Sequence, residues 1–132
     1  MVDVGASPKA RVLVVDDSSL VRLYYRSALE QAGFEVEQAI NGIEAMERAL
    51  SQPFDLVIVD VNMPRMDGLT FLRALRRSAA DVAVLPVLMI STESETQDVA
   101  AARATGANFY LVKPVAEAEL VRYVCVLTGV AS

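Results

Sequence analysis

Apolar residues are distributed along this chain in two alternating rhythms. Five short runs, residues 11–15, 34–39, 55–60, 87–91 and 108–112, are either continuously apolar or alternate with period two. The stretches between and after them carry apolar residues three and four apart. The first rhythm predicts strands and the second predicts amphipathic helices. Helices are expected over residues 18–32, 43–51, about 69–78, from Thr92 to about Thr105, and 117–127. Their inward faces are read as Val21, Tyr24, Tyr25, Ala28, Leu29 and Ala32, then Ala45, Met46, Ala49 and Leu50, then Phe71, Leu72 and Leu75. Gly33 and Gly106 sit where helices stop. Thr92 with Glu95 resembles a capping box, and Glu93, Glu95 and Asp98 lie early in that helix, as its dipole prefers.

Five strand–helix pairs with apolar strands call for a parallel sheet covered on both faces. The expected fold class is α/β, a doubly wound (βα)5 sheet. The 132 residues read as one domain with a core over about 9–128 and a flexible lead-in over 1–8. No repeat, linker or second domain is visible.

Charge and composition narrow the function. A net charge of −5 and a pI near 4.7 argue against nucleic-acid binding through a basic surface. The longest uncharged apolar run, 82–90, contains Pro86 and is far short of the ~20 residues of a membrane span. No signal-peptide pattern opens the chain, so a cytoplasmic location is expected. The single cysteine, Cys125, reads as a small packing residue and permits no internal disulfide. With no histidine, the chain has no Ser-His-Asp triad, no imidazole metal site and no phosphohistidine of its own. A phosphate-binding loop of the G-x-x-x-x-G-K-[ST] kind is absent as well.

The chemistry gathers at strand ends. Leu56 to Val59 is an apolar run that stops on Asp60, followed by the loop residues Asn62, Pro64 and Gly68. The first strand ends in Asp16-Asp17, the fourth in Ser91-Thr92 and the fifth in Lys113. In an open parallel sheet all of these fall on one rim, where ligands bind. Singly, each has a plain structural use as a cap or turn residue. Together, three carboxylates repel one another, and a hard divalent cation such as Mg²⁺ relieves that repulsion with oxygen ligands. The Ser91 hydroxyl and Lys113 ammonium suit a phosphoryl group beside such a cation, with Asp60 as the attacking carboxylate.

Val14-Val15-Asp16-Asp17, the segment from Asp60 to Gly68, Leu88-Met89-Ile90-Ser91 and Tyr110-Leu111-Val112-Lys113-Pro114 carry a resemblance. The chain resembles a response-regulator receiver domain, most closely the single-domain chemotaxis, CheY-like type, over about residues 9–128. The resemblance implies a flavodoxin-like sheet of order 2-1-3-4-5 with five helices. It makes Asp60 the phosphoacceptor. Asp17 and Asp60 would hold Mg²⁺ (with Mn²⁺ a substitute) by side chain, Asn62 by its backbone carbonyl, and Asp16 through water. Lys113 would pair with the phosphoryl group and Ser91 donate to it, with a cis Lys113-Pro114 bond.

The resemblance also couples Ser91 to Tyr110 as a switch that alters the surface of the fourth helix, fifth strand and fifth helix. Asn62 and Glu93 match the pair that gives fast self-dephosphorylation. Thr92 stands where relatives commonly have Ala or Gly and is expected to narrow access to Asp60. The closing helix is apolar nearly all round: besides core positions Leu120, Val124 and Leu127 it carries Val121, Tyr123, Cys125 and Val126. An output surface of Tyr110, Val121, Tyr123 and Val126 is therefore expected, on a monomer or weak dimer.

The implied function is a stand-alone two-component switch rather than a turnover enzyme. A sensor histidine kinase or histidine phosphotransfer protein would phosphorylate it. Its output would be a flagellar motor switch protein or another effector, with a phosphatase as a further partner. The alternative is a phosphorelay intermediate or phosphate sink. A structural pseudo-receiver or a flavodoxin-like cofactor binder is a third reading, disfavoured by the intact acidic set, Ser91 and Lys113.

Overall fold

The computed structural model describes residues 10–63, 65–92 and 96–130. Five strands, β1 (Arg11–Val15), β2 (Glu35–Ala39), β3 (Leu56–Asp60), β4 (Val87–Ser91) and β5 (Phe109–Val112), form one parallel sheet of order β2-β1-β3-β4-β5. The helices are α1 (Ser19–Gln31), α2 (Gly42–Ser51), α3 (Gly68–Arg76), α4 (Ala80–Ala83), α5 (Thr96–Thr105) and α6 (Glu117–Thr128). Among the described residues no helix is long and apolar enough to cross a membrane.

The period-two geometry of a strand divides the core in two. Val12, Val14, Ile58, Leu88 and Ile90 face one side and pack with Tyr25, Ala28 and Leu29 of α1 and Leu120, Val124 and Cys125 of α6. Their neighbours Leu13, Val15, Val57, Val59, Val87 and Met89 face the other side. There they meet Ala45 and Ala49 of α2, Phe71, Leu72 and Leu75 of α3, and Ala102 of α5. This explains why β3 and β4, buried at every position, read as unbroken apolar runs, while the edge strand β2 alternates. Full burial of Phe71, Leu72 and Leu75 stabilises the α3 face by about 1.5–3 kcal/mol per side chain.

Helix starts follow local chemistry. Ser18 caps α1 by accepting from the Val21 N–H (3.3 Å), Asn41 caps α2 through Glu44 (2.9 Å), and Asp67 caps α3 through Thr70 (2.8 Å). The Thr92–Glu95 capping box and Glu93 fall on or beside residues 93–95, outside the described residues.

Several expectations need correction. Among the described residues there are six helices rather than five. Residues expected as loop form the single turn α4, closed by the Val82 and Ala83 N–H groups donating to the Ala79 carbonyl. Four residues are too few to leave a helical period in the sequence. Leu50, read as inward, is 60% exposed, because Ala45 and Ala49 already fill the α2 contact. The Tyr24–Tyr25 pair, by contrast, is packing plus a surface ring as its sequence suggests: Tyr25 is buried, while Tyr24 is 43% exposed and donates its hydroxyl to the Val115 carbonyl at 3.1 Å. On α6, Cys125 is buried. Val121, Tyr123 and Leu127 pack partly against the core, with Tyr123 edge-on to Phe109 at 5.3 Å, so the helix is less open than its composition suggested. Val126 remains 64% exposed.

One side chain ties three connections together. The Arg76 guanidinium donates to the carbonyls of Ala83 (2.9 Å), Leu85 (2.6 Å) and Gly106 (3.2 and 2.6 Å), and to Asn108 Oδ1 (3.2 Å). Gly106 has φ +114, a conformation only glycine adopts freely, and a Cβ there would lie 2.8 Å from Arg76 Nε. Arg76→Met removes the donors and keeps most of the stem. It is expected to cost about 2 kcal/mol in urea unfolding, because acceptors lose their partner. A cost under about 0.5 kcal/mol would refute this clamp.

Candidate functional site

The carboxyl ends of β1, β3, β4 and β5 converge, as the parallel order requires. Asp16 follows β1 and is only 2% exposed. Its carboxylate accepts from the Ser18 N–H at 2.9 Å and from Lys113 Nζ at 3.2 Å. Its backbone carbonyl accepts from Arg22 Nη1 at 2.6 Å, and Arg22 Nε also reaches Gln38 Oε1 at 3.0 Å. Asp17 is exposed at the rim.

Asp60 ends β3 and is 7% exposed. Lys113 Nζ stands 3.6 Å from its Oδ1, and the Asn62 N–H lies 3.4 Å from the same oxygen. Desolvation is the main force raising the Asp60 pKa to about 6, and the Asp16 charge adds to it. Lys113 and the Asn62 N–H pull the other way, and Asp17 adds a smaller push. This carboxyl is thus buried in the repulsion of its neighbours.

Ser91 ends β4, fully buried, and its carbonyl accepts from the Lys113 N–H at 2.8 Å. That bond ties the residue carrying the ammonium to the end of the neighbouring strand. The Lys113-Pro114 peptide is cis, as the resemblance implied. Thr92 is exposed at the mouth. Tyr110 is half-buried and lines a cavity of about 410 Å³ with Val61, Asn62, Leu69 and Asp98.

Oxygen atoms of Asp16, Asp17 and Asp60 all lie within 4.8 Å of one another. An all-oxygen, anionic set of this size fits a hard divalent cation, which would offset the repulsion that the Asp16 and Asp17 charges add to the burial of Asp60.

Residues 12–125 match the response regulator receiver domain family. The chain belongs to that family. The receiver domain of this chain is 44% identical over 119 residues to the transcriptional regulatory protein PrrA of Mycobacterium leprae, covering 90% of this chain and 49% of the relative. It therefore spans about half the length of the curated relatives it matches. Among solved structures it is similar to chemotaxis response regulator CheY4 of Vibrio cholerae. That likeness has 38% identity and a TM-score of 0.84, over 89% of this chain and 98% of that one. It is also similar to the receiver domain of Francisella response regulator 1452, with 28% identity and a TM-score of 0.85 over 93% and 98%.

Asp16, Asp17, Asp60, Asn62 and Lys113 are thus brought to one rim of the receiver domain, with Ser91 at the end of the neighbouring strand. Glu93 lies outside the described residues. Val121, Tyr123 and Val126 sit away from the rim on α6. Sequence reasoning missed Arg22, whose contact to the Asp16 carbonyl crosses from helix to strand end. It also missed Gly68, read only as a loop residue. A Cβ on Gly68 would lie 2.5 Å from the Asp60 carbonyl oxygen. A glycine opening a helix just past an acid-ended strand was the one available signal.

Proposed function

We propose that this receiver domain is a phosphoryl-accepting switch of a two-component pathway. The carrying observation is Lys113 Nζ at 3.2 Å from Asp16 and 3.6 Å from Asp60, beside three clustered carboxylates. An Asp60 oxygen forms the new bond to phosphorus while the phosphorus–nitrogen bond of a partner phosphohistidine breaks and the imidazole leaves. Lys113 stays paired with the growing negative charge, and Ser91 donates its hydroxyl to a phosphoryl oxygen. Mg²⁺, or Mn²⁺ in its place, would be held by Asp17 and Asp60, by the Asn62 carbonyl and through water by Asp16, and would supply charge neutralisation. The donor is a sensor histidine kinase or a histidine phosphotransfer protein.

The readout we propose is the surface of α5, β5 and α6, coupled to the pocket through Ser91 and Tyr110. We assign its target to the flagellar motor switch, on the chemotaxis-type Asn62 and on the similarity to CheY4. A second reading, output to transcription, is favoured by the higher identity to PrrA, a transcriptional regulatory protein about twice as long. The relay or phosphate-sink alternative predicts reverse transfer from Asp60 to a partner histidine.

The test is affinity for a motor-switch amino-terminal peptide with and without Mg²⁺ and beryllofluoride, a mimic of the phosphoryl group. Binding is expected to tighten at least about tenfold on activation, equivalent to about 1.4 kcal/mol of coupling. Beryllofluoride uptake with no change in peptide binding would overturn the motor assignment and leave the phosphoryl chemistry. No uptake at all would overturn the switch itself.

A further inference from the structure

We propose that the Tyr25 hydroxyl is a further donor to the phosphoryl group on Asp60, reaching the pocket from the α1 side. This inference rests on the phosphoryl-acceptor reading of Asp60. Side chains of a helix lean toward its amino terminus. The amino terminus of α1 follows directly on Asp16 and Asp17. A long side chain two turns into α1, on its sheet-facing side, is thereby aimed at the strand ends rather than away from them.

Tyr25 meets these conditions. It is 4% exposed and packs in the cluster that includes Val14, Ile58, Ile90 and Val115. It lines one groove of about 340 Å³ together with Lys113 and Pro114, the groove being otherwise walled by Leu20, Val21, Tyr24 and Val115. Its ring lies 5.8 Å from that of Tyr24, whose own hydroxyl holds the Val115 carbonyl at 3.1 Å. The segment that carries Lys113 and the ring of Tyr25 are therefore braced against each other.

The Tyr25 hydroxyl makes no hydrogen bond with any described residue. Arg48 Nε is the unpartnered enclosed side-chain atom among the described residues, so the Tyr25 hydroxyl is open to the groove it shares with Lys113 and can exchange water there for a stronger, charged acceptor. The side chains around the groove are apolar apart from Lys113, itself a donor, and the other tyrosine. A phosphoryl oxygen paired with Lys113 is the acceptor that would complete it. Burial, then the charges of Asp16 and Asp60, hold the phenol pKa above its ordinary value, so the group stays protonated and able to donate at any working pH.

Tyr25→Phe removes the hydroxyl and keeps the ring. At saturating Mg²⁺, its beryllofluoride affinity is expected to fall about tenfold, the value of one hydrogen bond to a charged acceptor. The ¹⁹F resonances of the bound beryllofluoride should shift, while Mg²⁺ affinity without beryllofluoride stays within about twofold. A packing role alone would move neither the ¹⁹F signature nor the ratio of the two affinities. In the wild-type protein the ¹³Cζ resonance of Tyr25 should move on beryllofluoride binding, which decides the matter even if the variant folds poorly. Wild-type uptake with an unmoved Tyr25 resonance, or with Tyr25→Phe affinity within twofold, overturns the Tyr25 assignment alone. Wild-type protein that takes up no beryllofluoride overturns the Asp60 reading and this inference with it.

Discussion

Asp60→Asn is expected to abolish beryllofluoride uptake and phosphorylation, by at least about 1,000-fold, because the attacking oxygen is gone. The same change should stabilise the metal-free protein near neutral pH. Asp60 has a folded pKa of about 6 against an ordinary value of 3.8. A carboxyl raised in this way contributes stability that is complete below its unfolded range and is lost as pH rises through about 6. At pH 7 the ionised carboxylate is a net burden, and Asn, which never ionises, escapes it. With chelator present, urea unfolding should show Asp60→Asn more stable than wild type by about 2 kcal/mol at pH 7. The advantage should vanish near pH 4. Equal stability at both pH values would remove the argument that burial and the neighbouring carboxylates load this site. Mg²⁺ affinity of the wild type should fall as pH drops below about 6, since protonation of Asp60 in the metal-free site competes with the cation. An affinity that is flat from pH 7 to pH 5 would contradict that.

Gly68→Ala is expected to cost about 3 kcal/mol, the upper part of the range for overpacking a rigid site. A Cβ on Gly68 would stand 2.5 Å from the Asp60 carbonyl oxygen, 2.9 Å from Val61 Cα and 3.0 Å from Met89 Cε. Two of those three neighbours are backbone, which cannot step aside as a side-chain end can. The Gly68 N–H also donates to the Val61 carbonyl at 3.0 Å, so displacing Gly68 pulls on the residue after Asp60. Urea unfolding measures the stability loss. Beryllofluoride uptake by the folded fraction measures the displacement of Asp60, and both should worsen together. A loss below about 1 kcal/mol with normal uptake would show that this contact relaxes freely.

The five strands and the long helices were legible because their causes are local. A strand buried on both faces must be apolar throughout, and Leu56 to Val59 and Val87 to Ile90 are. A helix on one face must repeat its apolar residues at three and four, and Phe71, Leu72 and Leu75 do so in α3. The gathering of acids was legible from one further rule, that all strands of a parallel sheet end on the same rim. Leu50 was misread because periodicity gives a helix's mean face and not how much of it the neighbouring elements cover.

What the chain alone determined is the five strands, the five longer helices, their alternation, and the residues left standing at strand ends. The reason is that backbone hydrogen bonding and apolar burial repeat within a few residues of sequence. Tertiary structure alone decided which of those residues touch, and therefore their chemistry. Lys113 meets Asp16 across 97 positions of chain, and Arg76 meets Gly106 across 30. The raised pKa of Asp60 comes from burial and from Asp16, 44 residues earlier, and no local pattern encodes either. Distances between side chains on different elements are set by how helices pack on the sheet, and Coulomb forces and desolvation depend on those distances.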